Sequence, residues 1–296
     1  MTEGRIKSLT EEQGIARIVE TLKRAPAGDA PFVLVLGAGF NQGLVPTTRE
    51  LIAEALPLWI KSLEEGETYD YLKGRLKADE SAAIARAFWL KFVKDNELDL
   101  KLGPRGIPQD AAAAYKAAFN PEYAGALGAP ADARAFQRAL IRPNQLRLNA
   151  AHFLLASILG AQPGRNRSSD LLTSRAALTR LILTTNFDPF LQTALQLVNR
   201  HYFISDTPDL SLGDEIFDDA SDAIRLVYVH GSIHRRSHKA TAEDVQRIKD
   251  QNARMLAPLL KQHGIIVLGY SGWDDAIVDA LAACPSFTHR LYWCGM

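Results

Sequence analysis

An amide and a carboxylate two positions apart, Asn186 and Asp188 in the segment LILTTNFD (Leu181 to Asp188), are the residues of this chain best suited to chemistry. Two apart at the end of an apolar strand, such a pair shares one face, with Phe187 turned the other way, and can position a water and a sugar hydroxyl, with Thr185 beside them. A second apolar run, LVYVHGS, delivers His230 in front of Gly231, and an imidazole there can act as a general base. A third, PFVLVLGAGFNQG (Pro31 to Gly43), ends in Gly37, Ala38, Gly39, Phe40 and Asn41. Its glycines let the backbone bring amide hydrogens close to a phosphate. A fourth, IIVLGYSGWDD, ends in Gly269, Tyr270, Ser271 and Asp274. Each group also has a plainer role open to it. The glycine turn is a tight turn, Asp188 before Pro189 is an Asx turn capping the next helix, and His230 is a hydrogen-bonded strand end.

Residues of this kind, each at the carboxyl end of an apolar strand, call for an open parallel sheet with the ligand lying across its strand ends. The spacing predicts a first helix over 11–24, with Thr10 as N-cap and Ile15, Ile18, Val19 and Leu22 in one apolar stripe. A strand follows at 32–36, and then a helix starting at Thr47 or Thr48. From about 55 to 145 the strand pattern vanishes, and alanine-rich segments such as SAAIARAFWLKFV and QDAAAAYKAAF indicate a helical insertion. Its aromatics, Trp59, Trp89 and Tyr115, fit a core more readily than an oligomer contact. The helix NAAHFLLASILGA, a polar linker GRNRSSD, the Leu181 strand and a helix leaving at Pro189 come next. The stretch HYFISD reads as a short strand, LVYVHG as a firm one, 241–263 as a charged helix, and LYWCGM as the start of a last strand. The expected fold is α/β, a parallel sheet with helices on both faces. Its core is expected to span 1–54 and 146–296, interrupted by the insertion at 55–145.

Composition narrows the partners. The 296 residues carry 34 basic and 34 acidic side chains, so no nucleic acid or acidic membrane surface is called for. The basic run HRRSHK (His234 to Lys239) reads as a solvated loop. Two cysteines, Cys284 and Cys294, exclude a disulfide framework and a four-cysteine zinc site, so no metal is expected. No apolar run approaches the ~20 residues of a spanning helix, which leads to the expectation of a cytoplasmic protein. The glycine turn itself disfavours hydride transfer. Gly43 falls one position late for the G-x-G-x-x-G spacing, and no acidic residue ends a second strand about 20 residues on.

In combination these motifs resemble the sirtuin superfamily, specifically its prokaryotic sirtuin-like NAD hydrolase branch of antiviral defence systems. G-A-G-x-[SN] matches Gly37 to Asn41, N-x-x-H matches Asn149 to His152, and [TQ]-N-x-D matches Thr185 to Asp188. H-G matches His230 and Gly231, and G-[TY]-S matches Gly269 to Ser271, all in the family's order. The resemblance implies a Rossmann-like fold whose glycine turn holds the NAD+ diphosphate. Asn186 and Asp188 would face the nicotinamide ribose, His230 would be the catalytic base, and Ser271 would lie near the adenosine half. The chain departs from deacylating sirtuins in having no cysteine before Cys284, so the helical insertion stands in place of the zinc module. Deacylation is thereby disfavoured.

The resulting expectation is an NAD+ hydrolase releasing nicotinamide and ADP-ribose, the NAD-depleting effector of an abortive-infection system. The cationic nicotinamide leaves as a neutral molecule, so the leaving group needs no acid and the site must stabilise a positively charged ribose. A module that binds NAD as a sensor without turnover is the alternative, and a deacylase or ADP-ribosyltransferase a more distant one. The resemblance further implies a homo-oligomer or a separate trigger subunit, helicase-like ATPase or Argonaute-like.

Overall fold

The computed structural model describes the chain except for residues 1–6, 27, 120–132, 142–146, 161–175, 207–222, 230–249, 251–253, 255, 258–259, 271–275, 283–289 and 295–296. His230, Ser271 and Asp274, the HRRSHK and GRNRSSD segments and most of the expected 241–263 helix lie outside the described residues.

The fold is α/β, a Rossmann-like sheet of six parallel strands: β1 (Phe32–Leu36), β2 (Thr179–Thr184), β3 (Tyr202–Asp206), β4 (Ile224–Tyr228), β5 (Gly264–Leu268) and β6 (Leu291–Cys294). Their order in the sheet is β3-β4-β2-β1-β5-β6. After β1 the chain builds outward through β2, and after β4 it crosses to the opposite side of β1 to form β5. The direction of winding thus reverses between β1 and β5. In open α/β sheets a crevice forms at the strand ends where the winding reverses, and ligands bind there.

All five residues of β1 are buried, as a central strand covered on both faces requires. Val33 and Val35 pack with Leu183, Val227 and Val267 against Leu256, Leu260 and the helix α10 (Ala276–Ala282). On the other face Leu34 and Leu36 join Ile182, Leu226 and Ile266 under α8 (Ala150–Gly160) and α9 (Phe190–Leu197). Helix α1 (Glu11–Arg24) lies on this second face, its start fixed by a reciprocal cap between Thr10 and Gln13. Only part of its expected stripe faces inward. Ile18 and Leu22 pack on the sheet, whereas Ile15 and Val19 are exposed.

Between β1 and α8 the described residues form helices only, apart from a single Leu102–Pro108 bridge: α2 (Thr48–Glu50), α3 (Leu56–Glu65), α4 (Tyr69–Arg75), α5 (Ala78–Asp95), α6 (Ala111–Ala118) and α7 (Ala133–Ile141). They enclose a separate apolar cluster around Leu58, Trp59, Trp89, Phe92 and Phe136. Trp59 and Trp89 are buried and Tyr115 packs against the same cluster, so these aromatics are core rather than contact surface. Helix α2 begins at the Thr47 cap and runs into α3 through one π turn, Leu51–Ala55.

That π turn has a readable cause. The Leu56 N–H bonds to Leu51 O rather than to Ile52 O, and the next residue, Pro57, has no N–H to give. Ile52 O is therefore left without a donor from its own helix, in a buried place. The indole of Trp89 supplies one, Nε1 donating to Ile52 O at 2.7 Å. Trp89→Phe removes the donor while keeping most of the aromatic bulk, and a buried unsatisfied carbonyl costs about 1–3 kcal/mol. Denaturant unfolding is expected to register a loss of that size. Adding Pro57→Ala, which restores a backbone N–H, is expected to recover part of it in the double variant.

Candidate functional site

The site is organised by the contact between the turns after β1 and β5. Gly37 N–H donates to Leu268 O at 3.0 Å and Gly39 N–H to Gly269 O at 2.8 Å, so the two turns are bonded backbone to backbone. A Cβ on Gly37 would lie 2.4 Å from Tyr270 Cα, and one on Gly269 would lie 2.3 Å from Phe40 N. Gly269 also has φ +61°, in the left-handed region. Both glycines are needed because no side chain fits between these two strands.

The glycine turn is a short 3-10 helix, Ala38–Asn41. Phe40 N–H closes back on Gly37 O at 3.0 Å and Gln42 N–H on Gly39 O at 3.2 Å. Among the described residues Ala38 is the exposed member of the turn and its N–H has no protein acceptor. Phe40 and Asn41 point the other way and are buried beneath. Tyr270 is buried as well, its ring 5.7 Å from that of Trp293.

Asn186 and Asp188 do not stand on a strand as the alternation suggested. β2 ends at Thr184, whose Oγ1 accepts the Asn186 N–H at 3.1 Å and draws the backbone out of the ladder. Thr185 stays tied to β1, its N–H donating to Leu36 O at 3.0 Å. The two side chains still reach the glycine turn, at different depths. Asn186 Nδ2 donates to Gly37 O at 3.0 Å at the half-buried rim, and its amide oxygen has no protein partner among the described residues. Asp188 is buried and uses both oxygens: Oδ1 accepts the Phe190 N–H at 3.1 Å, capping α9, and Oδ2 accepts from Asn41 Nδ2. Phe187 packs beside Leu44, Ile141 and Phe190.

Two residues that the sequence matched to a motif without assigning them a role complete this floor. Asn149 caps α8 by accepting the His152 N–H at 3.1 Å, and its Nδ2 donates to Phe40 O at 2.8 Å, fastening α8 to the glycine turn. His152, fully buried, meets Asn149 Oδ1 through Nδ1 at 2.6 Å and Asn41 Oδ1 through Nε2 at 2.9 Å. The sequence signal was the N-x-x-H spacing, which is an N-cap spacing that places His152 at the third position of α8. Tyr228 joins from β4, its hydroxyl donating to Asp188 O at 2.8 Å and accepting from Gln192 Nε2 at 2.6 Å.

Among the described residues the rim therefore offers one backbone N–H and one amide oxygen, over a floor of hydrogen-bonded polar side chains. Among the described residues no group of three or more His, Cys, Asp or Glu is placed to hold a metal ion, and no helix is long and apolar enough to cross a membrane.

Burial pushes the Asp188 carboxyl up to about 6, against the opposing pull of the Phe190 and Asn41 hydrogen bonds. The same burial pushes His152 down to about 4. Unfolded, the two titrate near 3.9 and 6.5. Between about pH 4 and 6 the native pair is a neutral acid and a neutral imidazole, and the unfolded pair a carboxylate and an imidazolium. Each state holds one proton, so the two effects on stability offset each other. Single substitutions are expected to separate them. With His152→Phe the native state binds the extra proton through Asp188, and stability falls as pH rises from about 4 to 6. With Asp188→Asn the unfolded state binds it through His152, and stability rises from about pH 4 to 6.5. Urea unfolding across this range reads both slopes, and slopes of equal sign would refute the assignment.

Comparison with known proteins bears on the second half of the chain. A search of curated proteins finds no match. A family model described as the SIR2-like domain matches residues 180–291, from β2 to the start of β6. SIR2-like domains are generally NAD-using enzymes, and the matched span holds Asn186, Asp188, Gly269 and Tyr270 of the site just described. Over residues 180–291 the chain is thus similar to the SIR2-like domain, which supports a relation to the sirtuin-like superfamily.

Proposed function

We propose that the chain hydrolyses NAD+ at the nicotinamide–ribose bond, giving nicotinamide and ADP-ribose. The observation that carries this reading is the meeting of Asn186 with the glycine turn at the point where the sheet reverses its winding. Asn186 Nδ2 is spent on Gly37 O, which leaves the amide oxygen to accept a hydrogen bond from an attacking water. The exposed Ala38 N–H suits a diphosphate oxygen beside it. Asp188 serves this arrangement from below by fixing Asn41 and the start of α9. His230, two residues past the end of β4, supplies the base that takes the water's proton. Departure of a neutral nicotinamide asks for no acid, and fixed dipoles are well suited to the developing charge on the ribose.

The reading extends to an NAD-depleting effector of antiphage defence, acting in the cytoplasm and held silent until a partner subunit or self-assembly raises its rate. A DNA- or RNA-binding role has no support in the balanced charge.

Purified protein incubated with NAD+ is expected to release equal amounts of nicotinamide and ADP-ribose, without an acceptor protein and without added zinc. His230→Ala is expected to lower the rate by about 10²–10⁴, and Asn186→Ala by about 10²–10³, both with unfolding midpoints near that of the parent. NAD+ bound but intact after prolonged incubation at high protein concentration, with and without the product of an adjacent gene, would identify a sensor instead. Consumption only when an acceptor protein is present would identify a transferase or deacylase.

A further inference from the structure

Four side chains from three separate segments form one buried line beneath the glycine turn. It runs from Asn149 Oδ1 to His152 Nδ1 at 2.6 Å, from His152 Nε2 to Asn41 Oδ1 at 2.9 Å, and from Asn41 Nδ2 to Asp188 Oδ2. One end of the line is pinned. Asn149 Oδ1 accepts the His152 backbone N–H while Nδ2 donates to the Phe40 carbonyl, so turning this amide over would set hydrogen against hydrogen and oxygen against oxygen. An oxygen therefore always faces Nδ1, and Nδ1 must carry a hydrogen.

Two arrangements then satisfy every remaining contact. In one, Nε2 also carries a hydrogen, Asn41 Oδ1 accepts it, and Asn41 Nδ2 donates to an ionised Asp188. In the other the Asn41 amide is turned over: its NH₂ donates to a bare Nε2, and its oxygen accepts from a protonated Asp188. Both contain one proton beyond the neutral imidazole and the carboxylate, and both have zero net charge. They differ by transfer of that proton between Asp188 Oδ2 and His152 Nε2, accompanied by rotation of the Asn41 amide. The state lacking the proton must place two acceptors face to face, either Nε2 against Asn41 Oδ1 or Asn41 Oδ1 against the carboxylate. We propose that Asn41, His152 and Asn149 are positioning residues that hold a single proton in common with Asp188 through neutral pH, keeping the floor of the site free of net charge.

The surroundings suit a shared proton. His152 lies between the Phe40 and Phe190 rings, 4.9 and 5.8 Å from its own centroid, and Asp188, His152 and Asn41 are all buried. Among the described residues the other groups meeting the line are the Phe190 N–H from α9, on Asp188 Oδ1, and the titratable Tyr228 hydroxyl from β4, which engages the Asp188 backbone carbonyl rather than the carboxyl. Asn149 and His152 are the members contributed by α8. Burial brings the Asp188 carboxyl up to about 6 even with Asn41 donating to it, and the face-to-face acceptors of the protonless state carry the proton's retention beyond that, through neutral pH. Nothing in this order of donors and acceptors depends on what the site binds.

The full chain, isotope-labelled at histidine ring nitrogens and aspartate carboxyl carbons, tests the proposal by NMR at about pH 7.5, above the ordinary values of both groups. His152→Phe and Asp188→Asn identify the two signals by their disappearance. The expected result is one proton in the pair: a carboxylic acid beside a neutral, Nδ1-protonated imidazole, or a carboxylate beside an imidazolium. A carboxylate beside a neutral imidazole, or an acid beside an imidazolium, overturns it. In His152→Phe, Asn41 is released to donate to Asp188, whose midpoint is expected to fall by about one pH unit or more relative to the parent. An unchanged midpoint in a folded variant overturns the positioning role. Should that variant not fold, the proton count in the parent chain decides alone. Because no NAD+ turnover enters these readouts, their failure is distinct from failure of the hydrolase reading.

Discussion

The site rests on the approach of two backbones. The turns after β1 and β5 are hydrogen-bonded directly to one another, at a separation that leaves no space for a Cβ on Gly37 or Gly269. Strands β1 and β5 are neighbours through a parallel ladder from Phe32↔Gly264 to Leu36↔Leu268, and the two turns extend that pairing past the last ladder residue. This fixes which way the glycine turn faces. Ala38 comes to the surface while Phe40 and Asn41 are driven under it, toward α8 and the β2–α9 junction. The polar floor follows, since a buried Asn41 needs partners and finds them in His152 and Asp188.

The sheet was legible in the sequence because its strands are mostly apolar and the central ones end in glycine or a small polar cluster. All six strands fall within segments marked in the sequence, and the Thr10 and Thr47 caps stand where the residue types place them. The sheet order was not legible. It is set by crossovers whose direction depends on packing among residues far apart in the chain. The site was legible by residue type and less so by depth. Asn186 and Asp188 were expected to share one face, yet the Thr184 hydroxyl ends the strand early and sends one to the rim and the other to the floor. His152 was visible only as a spacing, because its part depends on Asn41, 111 residues away. Periodicity cannot report a contact of that range.

The helical cluster shows how one local misfit is absorbed. Pro57 follows a turn whose hydrogen bonds have already slipped, and the carbonyl thus orphaned is met by an indole from α5. The contact ties two helices of this cluster at a defined height, which apolar packing among Trp59, Phe92 and Phe136 would not do by itself.

The SIR2-like match begins at Arg180, after β1 has been laid down, and β1 lies between two strands of the matched span. Both β2 and β5 use β1 as a neighbour along their whole length. A polypeptide cut to residues 180–291 would hold the three strands β3-β4-β2 and, apart from them, β5 with only the first residue of β6, each piece with an unpaired parallel edge where β1 should lie, and such edges invite pairing with foreign strands. The inherited sequence unit and the smallest unit able to close its own hydrogen bonds are therefore different objects. The strand that joins the pieces is also the one that carries the glycine turn, so a span without β1 would lack both its centre and that turn.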